Sequence, residues 1–307
     1  MGTDAKANAS AFWTPRRAAL MSVVSNSILV TSKIVVGIIT GSVAVLSEGL
    51  HSGLDLVAAV MAFVSVSISA RPADLDHPYG HGKVENISGA VEALLIVVAA
   101  GFIVREGILK ILHGAEKIEV GPGLWVMLIS VVMNIIVSRI LFITARKHES
   151  PALEADAHHL STDVLTSVGV LIGLFVVWTT HIFILDAVVA IIVAAIMGFI
   201  GVNVFKSSFV DLLDRKLPED EEKKIRDILE RHNDMFVGYH EMRTRKAGAV
   251  RYIDLHLVVS REYRIKDAHD LCDHLEDEIK SIFHNANITI HLEPSKPDEW
   301  HSPRKTT

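Results

Sequence analysis

A single cysteine, Cys272, stands in 307 residues. One thiol cannot form an internal disulfide, and one sulfur cannot build a thiolate metal cage. On the helix expected around it, Cys272 reads as a small core residue. The chain has no basic run, and its formal net charge is −6. Nucleic acid is therefore not expected as a partner, because phosphate binding needs clustered Lys and Arg. The His-Glu-x2-His helix motif of zinc hydrolases is also missing. The first apolar stretch is too long for a secretory leader, and no small-residue cleavage site follows it.

Apolar residues and histidine are plentiful. Half of the chain is hydrophobic, and sixteen residues are His. With sulfur excluded, imidazole and carboxylate are the natural ligand set. The apolar residues concentrate in long runs before about residue 210. A bilayer-crossing helix needs about 20 mostly apolar residues. Six segments qualify, at about 18–40, 43–69, 87–112, 121–146, 152–180 and 183–208. The expected organisation is an N-terminal tail at 1–15, a six-helix membrane domain at 16–213, a cytosolic domain at 214–296 and a tail at 297–307.

Lys and Arg set the orientation of such a bundle. Arg16 and Arg17, Arg71 and Lys83, Arg146 and Lys147, and Lys206, Arg215 and Lys216 all fall on one side. The opposite connections carry Lys117 alone. Both termini are therefore expected in the cytoplasm, with the chain multi-pass in a cell membrane. Trp13, Trp125 and Trp178 fall near span ends, where interfacial anchors sit; plain packing is the competing reading for each.

Two spans echo each other. The second contains Glu48-Gly-Leu-His51-Ser-Gly-Leu-Asp55, and the fifth contains Asp156-Ala-His158-His159-Leu-Ser-Thr-Asp163. In each, an acid is followed three residues on by His and four later by Asp. Helix positions i and i+4 share a face, so each helix aims an imidazole and a carboxylate at one point. Two nitrogens and two oxygens suit tetrahedral Zn²⁺. Mg²⁺ and Ca²⁺ want more oxygens, and Cu⁺ prefers sulfur. The competing reading is polar stitching between helices. Each buried Asp costs about 2.5–3.5 kcal/mol on insertion scales, whereas hydroxyl or small side chains join helices more cheaply. Ser47, Gly49, Ser52 and Gly53 let helices approach closely. Glu48 and Asp156 read either as partners orienting the imidazoles or as polar residues near water. Lys33 and Glu92 are further intramembrane charges with no account from sequence. A membrane metalloenzyme would need an open coordination position and a base, and Glu48 is the one weak candidate. A metal-gated channel or a metal sensor would use the same ligands.

The ordered motifs resemble the cation diffusion facilitator family of metal/proton antiporters. They are Gly41-Ser-Val-Ala-Val-Leu before the first His-x3-Asp, then Asp76-His-Pro-Tyr-Gly-His-Gly-Lys83-x-Glu85, then Asp156-x2-His159-x3-Asp163. Asp211-Leu-Leu-Asp214-Arg-x-Leu-Pro218 and Ile290-His291-Leu-Glu293-Pro294 complete the series, and the likeness runs from about 12 to 295. The resemblance implies a homodimer of six-span protomers with a ferredoxin-like αββαβ cytosolic domain. It implies export of metal from the cytosol against protons, with no organic cofactor and no enzymatic activity. Its transport positions fall on His51, Asp55, His159 and Asp163. Some bacterial members have Asp where His51 stands here; the two-His, two-Asp version implies zinc. The loop between spans four and five, Arg146-Lys-His-Glu-Ser150, lacks a long His-rich insertion, which implies a bacterial type in the inner membrane.

The 71–85 segment reads as a solvated turn or a metal site; the resemblance places a second zinc site at Asp74, His77 and His81. After about 214 the pattern is helix 219–233, strands 239–246 and 250–259, helix 265–284 and strand 286–293. Ala268, Leu271, Leu275 and Ile279 form one stripe. Ile253, Leu255 and Leu257 share one strand face, and Tyr252, Asp254 and His256 the other. Matched to the family, His240, His256, His291 and Glu293 fall on cytosolic metal ligands, with His269 adjacent. Related members have Asp at the last position. That site implies Zn²⁺ as a regulatory ligand as well as the transported ion. Lys83 and Asp214 match an interprotomer salt bridge.

Overall fold

The structure is a computed structural model and describes residues 13–40, 43–113, 123–180 and 184–296. The chain divides into two compact units, Met1–Phe209 and Val210–Thr307.

The first unit holds six long helices: α1 (Pro15–Thr40), α2 (Val43–Ser69), α3 (Lys83–His113), α4 (Gly123–His148), α5 (Pro151–Thr180) and α6 (Ile184–Leu212), the last running three residues past the division. Five of them are long and apolar enough to cross a membrane. The sixth, α5, is 30 residues long and carries Glu154, Asp156, His158, His159 and Asp163 in its N-terminal half. The unit is apolar outside, with Ile28, Ile39, Val57, Phe102 and Phe199 exposed. Its seams are small and polar, with Ala58, Ala62, Ala93, Ala155, Ser22 and Asp156 buried. That distribution suits lipid, where close packing through small residues replaces a hydrophobic drive. Gly49 shows why: a Cβ there would stand 3.2 Å from Cγ1 of Ile34 on α1.

Trp13 packs against the cluster around Ala18, Ala19, Leu141 and Leu153, so packing describes it here. The side chains of Trp125 and Trp178 lie outside the described residues, as do the side chains of Ser47 and Glu48. Pro72 and Pro78 interrupt the helical run after α2, and Gly80 adopts φ +78° in the turn that leads into α3.

The second unit contains α7 (Glu219–Arg231), β1 (Gly238–Ala247), β2 (Val250–Val259), α8 (Ile265–Ile282) and β3 (Ala286–Pro294). The sheet order is β1-β2-β3, with β1 and β2 antiparallel and β2 and β3 parallel. The α8 crossover supplies the connection that a parallel pair requires. Four acidic residues open α7, where the helix dipole favours them. Ile225, Ile228 and Leu229 of α7 meet Ile253, Leu255, Leu257, Ala268, Leu271, Leu275 and Ile279 in one core. Each such aliphatic side chain contributes about 1.5–3 kcal/mol on burial. The expected stripes on α8 and β2 are those that face this core. Thr244 joins the layers: it accepts from the Leu217 amide at 3.0 Å and donates to Glu222 at 2.8 Å.

Candidate metal centres

Helices α2 and α5 bring the first quartet together. One ligand atom each from His51, Asp55 and Asp163 lies within 4.8 Å of the others. His159 Nε2 sits 3.2 Å from Asp55 Oδ1, across the α2–α5 seam. Asp55 is buried and His51 exposed. Asp163 Oδ2 and His159 Nδ1 are buried with no hydrogen-bond partner among the described residues. Polar atoms in that condition are costly unless another charge completes them. A Cβ on Gly53 would meet nothing within 4 Å, so the α2 face opposite the two ligands is open at that level.

The charges that sequence left unexplained flank this seam. Lys33 of α1 is buried and donates to Ser52 at 2.7 Å, one residue from His51. Glu92 is fully buried and accepts from Ser88 at 3.2 Å. Asp156 is also fully buried, and neither carboxylate oxygen has a hydrogen-bond partner among the described residues. Glu85 takes the hydroxyls of Ser69 and Ser150, tying α2, α3 and the start of α5.

The loop trio also converges. Ligand atoms of Asp74, His77 and His81 lie within 4.8 Å of one another. The Asp74 carboxylate accepts the amides of His77 at 2.7 Å and Asp76 at 3.1 Å, an Asx turn that aims it inward. It also stands 3.2 Å from His77 Nδ1 and 3.3 Å from His81 Nε2. The His77 amide, ahead of the imidazoles, holds the Asp74 carboxyl below its usual 3.8. His81 Nδ1 is buried and unpartnered among the described residues.

Strand register builds the third group. His240 pairs with His256, and His256 with His291, so three imidazoles form one row across three strands. Their ring centroids are 5.1 and 4.7 Å apart. Glu293 lies two residues beyond His291, on the same face. Its carboxylate is 2.9 Å from His256 Nδ1 and 3.1 Å from His240 Nε2, and His291 Nε2 is 3.9 Å away. The donations from His256 and His240 hold Glu293 below its usual 4.5. His240, His256 and Glu293 form the tight trio. His269 is not in this group within one chain; it is exposed on α8, 3.6 Å from Asp273.

One neighbour escaped the sequence. Register slips between His240 and Arg243, and Glu241 adopts φ +50° there. This bulge brings Glu241 Oε2 to 3.7 Å from His256 Nε2. Strict alternation would have put Glu241 on the opposite face from His240, so no periodic signal marked it. Asp214 pairs with Arg245 at 3.4 Å within its own unit.

The fold and these clusters define a class: a helical membrane protein with an appended α+β unit, carrying His and carboxylate groups of metal-ligand type in both. The chain belongs to the cation diffusion facilitator family of metal cation efflux proteins. Residues 19–213 match the cation efflux transmembrane domain, and residues 217–295 match the cation efflux protein cytoplasmic domain. The cation-efflux pump FieF of Yersinia enterocolitica is 32% identical, over 94% of this chain and 96% of that protein. The manganese efflux system protein MneP of Bacillus subtilis is 28% identical, over 91% of this chain and 96% of that protein. Among solved structures, the metal-bound C-terminal domain of the CzcD transporter from Thermotoga maritima is 29% identical. That match covers 24% of this chain and 87% of the other, with a TM-score of 0.23.

Proposed function

We propose that this protein exports Zn²⁺ from the cytosol in exchange for protons, through His51, Asp55, His159 and Asp163. The observation that carries the reading is the meeting of the two His/Asp pairs across the α2–α5 seam. A metal ion needs neutral imidazole and ionised carboxylate, so protons compete with it for the same atoms. Histidine titrates near neutrality, which places that competition in the physiological range. Metal binds from the cytosolic side, the helices rock, and protons from outside displace the ion. The protonated carrier then resets, in the manner of a midplane site with alternating access.

Asp74, His77 and His81 form a looser second site on the cytoplasmic loop. His240, His256, His291 and Glu293, with His269, bind regulatory zinc and favour the homodimer, since a ligand stabilises the state that holds it. Lys and Arg placement supports cytoplasmic termini in a bacterial inner membrane. Export of a wider set of divalent ions is the alternative, and the likeness to a manganese efflux protein favours it.

Purified full chain in liposomes with an imposed proton gradient tests both readings, comparing Zn²⁺, Cd²⁺, Fe²⁺, Mn²⁺, Co²⁺ and Ni²⁺. Zinc uptake should dominate, and Asp55→Ala should abolish it while the protein still folds. Full transport by that variant removes the four-ligand site. His51→Asp should broaden metal choice; an unchanged zinc preference refutes selection by ligand type.

A further inference from the structure

The helix layer of the second unit carries another ligand cluster, remote in sequence from the family motifs. His232 caps the C-terminal end of α7. His274 and Glu278 lie four residues apart on α8, on one face. One ligand atom from each of the three lies within 4.8 Å of the others. His232 Nε2 is 3.0 Å from His274 Nε2 and 3.4 Å from Glu278 Oε2.

The proton bookkeeping is specific. His232 Nδ1 is 3.0 Å from the Ile228 carbonyl, which can only accept, so Nδ1 carries a hydrogen. In the neutral ring Nε2 then offers a lone pair. That lone pair faces a carboxylate oxygen, which can only accept, and the Nε2 of a second imidazole, which donates or accepts according to its tautomer. Without a cation, His274 can donate its Nε2–H to His232, but the 3.4 Å contact of His232 Nε2 with Glu278 Oε2 then has no proton unless a ring takes one up. With a cation at the centre, every lone pair is used. An imidazole fixed by donating its other nitrogen to a backbone carbonyl is the usual condition of a metal-bound His. Ligands about 2.0–2.1 Å from a tetrahedral zinc stand roughly 3.3 Å apart, close to the two separations above. Arg231 holds the other oxygen, Oε1 of Glu278, at 2.6 Å, and so turns Oε2 toward the histidines. His232 and Glu278 are mostly buried, while His274 is exposed.

We propose that His232, His274 and Glu278 form a further binding site for a zinc-class divalent cation, joining the end of α7 to α8. Three protein ligands leave a fourth position for water. The bound ion staples the crossover helix that delivers β3, and with it His291 and Glu293, to the sheet. The site does not depend on the transport reading.

The test uses purified full-length protein in detergent, stripped with chelator and dialysed against zinc chloride. Bound zinc is then counted per protomer. His274→Ala and Glu278→Gln should each retain one zinc fewer than the parent. The same loss should appear when His274→Ala is added to His256→Ala, because the sheet-face cluster is independent. If His274→Ala fails to fold, His274→Gln keeps a polar contact to His232 and is read instead. An unchanged zinc count in the folded variants overturns the proposal and leaves the trio as an ion pair between His232 and Glu278. A loss of zinc from His256→Ala alone, with none further from His274→Ala, overturns it too.

Discussion

Replacing Asp163 with Asn should make the metal-free protein more stable and the transporter inactive. Asp55 and Asp163 hold carboxylate oxygens within 4.8 Å of each other. At an effective dielectric of about 20, two such charges repel by at least roughly 3.5 kcal/mol. Lys33 lies in the same region and His159 touches Asp55. These groups offset part of the repulsion, leaving a net of about 1–3 kcal/mol. Asn keeps the shape of Asp and removes that cost. Thermal unfolding in detergent with chelator, at about pH 8, should therefore show the variant melting several degrees above the parent. Added zinc should raise the parent's melting temperature by mass action and leave the variant's nearly unmoved. Proton-driven zinc uptake should vanish. A variant that is less stable without metal, yet still protected by zinc, would show Asp163 to be a hydrogen-bonded helix joint and refute the charge-cluster reasoning. Greater stability without the charge, at the cost of the proposed transport, is the expected trade-off.

Other perturbations read the second unit. Arg251 is buried against Glu221 through two bonds of 2.7 and 2.8 Å, so Arg251→Ala should cost about 3–5 kcal/mol; urea unfolding followed by circular dichroism measures it. Glu293 titrates below its usual 4.5 in the folded unit, so its stabilisation is present above that value and is lost as pH falls through the folded one. Glu293→Gln should flatten the acid limb of the stability–pH curve below about pH 5, a shift that melting scans at stepped pH detect. Burial pushes the Cys272 thiol up to about 11. The native protein should label slowly with maleimide at neutral pH and quickly once unfolded, as mass spectrometry would record.

Much of this was legible because it is periodic. Apolar runs marked the helices, and alternation in β2 set Ile253, Leu255 and Leu257 apart from His256. The i, i+4 pairs on α2 and α5 announced their shared face without any tertiary information. What was not legible depends on chain elements meeting at places no period marks. The bulge at Glu241 breaks the alternation that reading a strand assumes. Lys33 became intelligible once α1 brought it to Ser52. His232 stands at a helix end, outside the apolar stripe, and its partners lie 42 residues away and beyond. The spacing of His274 and Glu278 was a usable hint, but it is also the spacing of ordinary surface pairs. His269 shows the converse: a motif match puts a residue on a helix face, and only packing decides what it touches.

The row His240–His256–His291 crosses one antiparallel and one parallel strand pair. Its first contact forms with a local hairpin, and its second waits for the α8 crossover to return β3. A slip of one residue in either pairing would turn part of the row toward the core. An ion held there thus latches the final strand in place, and its release rate becomes a gauge of how often that strand comes away.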